Sequence, residues 1–134
     1  MAATITDEIV NKIDQVQRTV ESIDFAFLFG SALRKLLPQS DIDILIGGSI
    51  DFDRRLLLTA ELSRKLSRNT DLVLTKEARS ELVLKAMSQG TLIFVRNKET
   101  LKQDYNRHWR QFDDNTGLRM IKFARIQKQY AYGR

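Results

Sequence analysis

Short apolar runs alternate with amphipathic stretches along this chain, and the alternation restricts its fold more than any other feature of the sequence. Ile5, Ile9, Ile13, Val16 and Val20 recur every three to four residues, with Thr4 and Asp7 placed as a variant of the capping box, so the chain opens on an amphipathic helix. Phe25 to Phe29 (FAFLF) is too short for a helix and is stopped by Gly30, the pattern of a buried strand. Ser31 to Leu37 is expected as a short turn or helix ended by Pro38. Asp41 to Ile46 (DIDILI) is a second β-branched run, followed by Gly47 and Gly48. A helix over Asp53 to Leu66, a strand over Asp71 to Thr75 and a helix over Glu77 to Gln89 follow. That last helix has Leu82, Val83, Ala86 and Met87 inward and Gly90 at its C-cap. Thr91 to Val95 (TLIFV) reads as a fourth strand, and the remainder as one or two helices. Elements in this order predict an α/β (α+β) architecture, a small sheet of about four strands flanked by helices.

The 134 residues are one domain's worth, and 43% apolar with 29% charged residues describes a globular chain rather than a disordered one. With no cysteine there is neither a disulfide framework nor a thiolate metal site. No run approaches the roughly 20 apolar residues that span a bilayer, and the first residues carry acids where a secretory signal is basic, so a cytoplasmic address is expected. The net charge of +5 is unevenly placed. Residues 1–95 hold 12 Lys and Arg against 13 Asp and Glu, whereas residues 96–134 hold 10 against 4. The division predicted is a body over 1–95 and a basic, aromatic-rich helical extension over 96–134 that serves for contact.

Residues 30 to 46, GSALRKLLPQSDIDILI, carry the chemistry. Asp41 and Asp43 are two apart on an expected strand, so both side chains leave one face while Ile42 and Ile44 leave the other. Two like charges on one face favour a cation between them, and hard oxygen donors suit Mg²⁺, which is held by one or two carboxylates plus substrate phosphates. Asp71 opens the next strand and can join them from a neighbouring ladder, giving the donor set of a two-metal phosphoryl-transfer site. Gly30 and Ser31 stand between a strand and a short helix, where exposed amides hold phosphate, and Arg34 follows about one turn later.

Gly30, Ser31, Asp41 and Asp43 reproduce the GSx9DxD signature, and over about residues 5 to 95 the chain resembles the DNA polymerase β-like nucleotidyltransferase superfamily. It most resembles the minimal nucleotidyltransferase (MNT) branch, the antitoxin half of HEPN/MNT toxin–antitoxin pairs. The resemblance implies the polymerase β-like fold with a small mixed sheet, and an Mg²⁺-dependent transfer of AMP from ATP to a tyrosine of a HEPN ribonuclease toxin, which silences that toxin. It further implies that Asp41 and Asp43 ligate two Mg²⁺ ions, and that Asp71 ligates the catalytic one and helps to deprotonate the hydroxyl. Gly30 and Ser31 would then hold the β- and γ-phosphates, with Arg34 and Ser40 as further contacts. In this sequence the link between Ser31 and Asp41 carries Leu36 and Leu37 where many relatives have small or polar residues.

Two other functions fit the same residues: a small-molecule nucleotidyltransferase of the antibiotic-modifying type, and a non-enzymatic antitoxin that neutralises by binding. The lone histidine, His108, sits among apolar helix positions and reads as a packing or surface residue rather than a catalyst. Tyr105, Trp109, Phe112, Tyr130 and Tyr132 interleave with basic residues, a pattern open to RNA stacking or to helix packing on the body or a partner protein. Packing is the preferred reading, with direct nucleic-acid contact second.

Overall fold

A computed structural model of the chain describes residues 5–30 and 41–112. Four helices and four strands follow one another as α1 (Ile5–Gln17), β1 (Ile23–Phe29), β2 (Ile42–Gly48), α2 (Phe52–Leu66), β3 (Thr70–Leu74), α3 (Ser80–Gln89), β4 (Thr91–Val95) and α4 (Lys98–Gln111). The strands form one mixed sheet in the order β3-β2-β1-β4. β1 pairs antiparallel with β2 and with β4, while β2 and β3, joined through α2, run parallel. This is the small sheet flanked by helices that the alternation of elements predicts, with the mixed strand directions that the resemblance implies. Ser31 to Leu37, the capping residue Thr4 and everything after Phe112 lie outside the described residues.

The sheet separates two cores. On one face Ala26, Leu28, Ile42, Ile44, Ile46, Leu72 and Leu74 meet Ile9, Ile13 and Val16 of α1 and Leu58, Leu62 and Leu66 of α2. On the other, Phe25, Phe27, Leu45 and Leu92 meet Val83, Leu84 and Met87 of α3 and Leu101, Tyr105 and Trp109 of α4. The period of two that puts alternate side chains on opposite faces accounts for the split, and it explains why FAFLF and DIDILI are apolar almost throughout.

Local chemistry fixes the helix ends. The Asp51 carboxylate accepts from the Arg54 amide at 2.8 Å to cap α2, whose first turn carries Asp53 and last turn Arg64 and Lys65, matched to the helix dipole. Asn97 caps α4 by accepting from the amides of Glu99 and Thr100 at 3.0 and 3.2 Å. In α3 the inward residues differ from the sequence pattern: Leu84 is buried and Leu82 is only half-buried. α3 also starts at Ser80 rather than Glu77, because residues 76–79 make a turn in which the amides of Glu77 and Ala78 donate to the Leu74 carbonyl. Gly90 is the C-cap in extended conformation; a Cβ there would overlap the carbonyls of Ala86 and Leu28, so close packing of α3 on β1 requires it.

The aromatics of α4 belong to the core. Tyr105 and Trp109 are buried and stack edge to face at 6.2 Å, and Trp109 meets Phe112 at 5.7 Å. Arg96 is equally structural: its guanidinium donates to the carbonyls of Val20, Ile23 and Arg18 at 2.9, 3.1 and 2.7 Å, closing the turn between α1 and β1. Tyr130 and Tyr132 lie outside the described residues. No helix among the described residues is long and apolar enough to cross a membrane.

Candidate functional site

Register and pleat together assemble the carboxylates. In the parallel pairing of β2 with β3, Asp43 is the direct partner of Asp71, while Ile42 pairs with Thr70 and Ile44 with Leu72. Adjacent strands lie about 4.8 Å apart and paired residues share a face, so the two carboxylates stand side by side. Asp41, immediately before the strand and two residues from Asp43, is on the same side. That side is the one carrying α3 and α4, since Leu45 and Val73, the next residues in phase, pack there, whereas Ile42, Ile44 and Leu72 face α1 and α2. Asp41 and Asp71 are exposed and Asp43 half-buried, which leaves this end of the sheet open to a substrate.

Gly30 completes the geometry. Phe29, the last residue of β1, is the antiparallel partner of Asp43, and Gly30 follows with φ of +88°. A Cβ on Gly30 would overlap the Asp43 carboxylate. Glycine is therefore required twice over, for its backbone angle and for the passage of the chain directly over an acid. Ser31, Arg34 and Ser40 follow this point in sequence but lie outside the described residues.

The electrostatics mark Asp43 as the centre. Burial first, then the charges of Asp71 and Asp41, raise its pKa above the ordinary carboxylate value. A cation among the three acids would relieve their mutual repulsion, and hard carboxylate oxygens suit Mg²⁺. Among the described residues, no group of three or more His, Cys, Asp or Glu side chains is arranged to hold a metal ion.

A second polar cluster went unread in the sequence. At the far end of β3 the Thr75 hydroxyl donates to Asp104 at 2.7 Å, and the Thr75 carbonyl is 2.9 Å from His108 Nε2. Ser80 Oγ lies 2.8 Å from His108 Nδ1 and Arg107 pairs with Asp104 at 3.1 Å. The Ser80 hydroxyl also donates to Gln111 Oε1 at 3.1 Å, and Arg107 Nη2 lies 3.3 Å from His108 Nε2. The group ties α4 to β3 and α3; its signal in the sequence is the i,i+4 pair Asp104 and His108 on the apolar side of a helix. His108 is accordingly a packing residue, as its place in the sequence predicts.

A family model described as polymerase beta, nucleotidyltransferase, matches residues 11–99. Several solved structures share the fold. One is a tri-AMPylated HEPN toxin of Shewanella oneidensis in complex with an MNT antitoxin, 22% identical with a TM-score of 0.66, covering 92% of this chain and 98% of that one. A toxin–antitoxin structure with AMP-PNP is 22% identical at a TM-score of 0.65, over 89% of this chain and 96% of that one. The toxin–antitoxin structure MntA-HepT is 21% identical at 0.63, over 90% and 96% respectively. No curated protein sequence matches the chain.

Proposed function

Because the chain belongs to the polymerase β nucleotidyltransferase family, we propose that it is the antitoxin of a HEPN/MNT pair and transfers AMP from ATP to a tyrosine hydroxyl of its HEPN ribonuclease toxin. The observation that carries this reading is the register pairing of Asp43 with Asp71, beside Asp41 and beneath Gly30, at the open end of the sheet. The fold shared with an AMP-PNP complex and with a tri-AMPylated toxin complex supports it.

In this reading Asp41 and Asp43 would hold two Mg²⁺ ions, with Asp71 as a further ligand of the catalytic one. The ions, when bound, neutralise the triphosphate and lower the pKa of the attacking hydroxyl. Asp71 would help to take the tyrosine proton as the oxygen attacks the α-phosphorus and pyrophosphate leaves. Gly30 admits the phosphates close to the backbone, and the amide and hydroxyl of Ser31 hold the β- and γ-phosphates, with Arg34 and Ser40 as further contacts. α3 and α4 occupy the rest of this face, so the acceptor approaches past the exposed Asp41 and Asp71.

Incubation of the protein with its HEPN partner, ATP and Mg²⁺ is expected to add AMP to a partner tyrosine, read by intact-mass and peptide mass spectrometry, and Asp43→Ala is expected to abolish the adduct. An unmodified partner overturns the transfer, and full activity in Asp43→Ala overturns the site.

A further inference from the structure

α2 is apolar on two sides. Leu58, Leu62 and Leu66 are buried against the sheet and α1, as an amphipathic surface helix requires. On the opposite side, Phe52, Leu56 and Leu57 are 64%, 56% and 72% exposed, the only large hydrophobic side chains more than half in solvent among the described residues. Ala60, one turn on, is exposed as well. A contiguous apolar stripe of this kind on a soluble domain marks a contact surface.

The charges bordering the stripe identify what it contacts. Asp53, Leu57, Ala60 and Arg64 are spaced by four, three and four residues, the heptad spacing of a helix-pairing seam, with an acid at one end and a base at the other. Neither Asp53 nor Arg64 belongs to an ion pair among the described residues. Two copies of this seam laid antiparallel about a two-fold axis between Leu57 and Ala60 bring Asp53 of each against Arg64 of the other. A parallel pairing would set Asp53 against Asp53. Ala60 near the axis lets the helices approach to about 8 to 10 Å, while Leu56 and Phe52 cover the flanks. The surface is therefore complementary to itself, as an isologous dimer interface must be.

Its position also separates it from the transfer site. α2 and α1 lie on one face of the sheet and Asp41, Asp43 and Asp71 on the other, so the stripe and the carboxylates face opposite sides of the domain. We propose that the exposed face of α2 pairs antiparallel with the same face of a second copy of this chain, giving a two-fold dimer that keeps both carboxylate sites open. The dimer is independent of the proposed transfer activity.

Sedimentation equilibrium of the full chain without any partner, over a wide concentration range, is expected to give a concentration-dependent mass that reaches twice that of the 15.5 kDa chain. Leu57→Glu is expected to raise the dimer dissociation constant tenfold or more. Its circular dichroism and thermal unfolding at low concentration should be unchanged, because the side chain already stands in solvent. Asp53→Arg and Arg64→Asp should each weaken the dimer, and the double variant Asp53→Arg/Arg64→Asp should restore it. A chain that stays monomeric throughout overturns the proposal, as does a double variant no tighter than the singles. Protection of α2 from hydrogen exchange only after a HEPN partner is added also overturns it and assigns the face to that partner.

Discussion

The two faces of the sheet are built to different ends. The face under α1 and α2 is hydrocarbon almost throughout, from Ile13 to Ile44 and Leu62. The face under α3 and α4 changes character along its length: carboxylates at one end, aromatic packing in the middle, and the Thr75, Asp104, His108 and Ser80 cluster at the other end. One layer supplies cohesion, which lets the other hold groups that repel one another. The contrast is sharpest in β2, where adjacent residues serve opposite purposes.

Substituting those neighbours gives the largest expected separation. Ile44→Ala leaves a cavity in the hydrocarbon layer and is expected to cost about 2 to 5 kcal/mol in denaturant unfolding. Transfer activity per folded molecule should survive below the unfolding transition. Asp43→Asn is expected to abolish transfer while leaving stability unchanged or slightly raised, since it removes a charge disfavoured by burial and by Asp71 and Asp41. If Asp43→Asn unfolds the protein, or Ile44→Ala inactivates molecules that remain folded, the division of labour fails.

The polar cluster offers a pH test. Burial, then the Arg107 guanidinium, lower the pKa of His108 below its usual 6.5, against the opposing influence of the Thr75 carbonyl and Asp104. The groups around the ring are Thr75 from β3, Ser80 from α3, and Asp104, Arg107 and Gln111 from α4. In the folded chain the neutral form is favoured, so the unfolded chain binds more protons just below pH 6.5. The stability contributed by the neutral ring is complete above that pH and is lost as pH falls through it. The expected slope is at most about 1.4 kcal/mol per pH unit for one proton, read by denaturant midpoints between about pH 6.5 and 5. A His108→Gln variant should lack that component, and an unchanged slope would sharpen attention on the carboxylates instead.

The smallest effect tests a polar side chain buried beside the hydrocarbon layer. Gln17, at the end of α1, is fully buried, and its amide nitrogen and oxygen have no hydrogen-bond partner among the described residues. Gln17→Met keeps the volume and removes an unsatisfied polar group, so unfolding free energy should rise by about 1 kcal/mol. Destabilisation would show that the amide is partnered in solution.

Much of the fold is legible because its signals are local. Apolar runs such as FAFLF and TLIFV read as strands and Asp53 to Leu66 as a helix, but which side of that helix is buried was not legible: Leu56 and Leu57 are exposed and Leu58 is buried. The candidate carboxylates were legible for the same reason, since Asp41 and Asp43 share a face whatever the sheet does with them. Other features depend on groups distant in sequence. Nothing near Arg96 reveals that it closes a turn at residues 18 to 23, and nothing near His108 reveals Ser80 and Thr75. The net charge misleads in the same way: several basic residues after position 95 sit on α4, whose other side is buried core.

By itself, the sequence determined the order of the elements and the acids available for chemistry, because hydrophobic period and backbone preference act between neighbours. Tertiary structure decided which acids meet. Pairing β2 with β3 in parallel, in a register that sets Asp43 beside Asp71, and passing Gly30 over Asp43 depend on how strands far apart in the chain pack. A one-residue slip of β3 would turn Asp71 to the hydrocarbon face, and the burial of Leu72 and Leu74 in that layer forbids it.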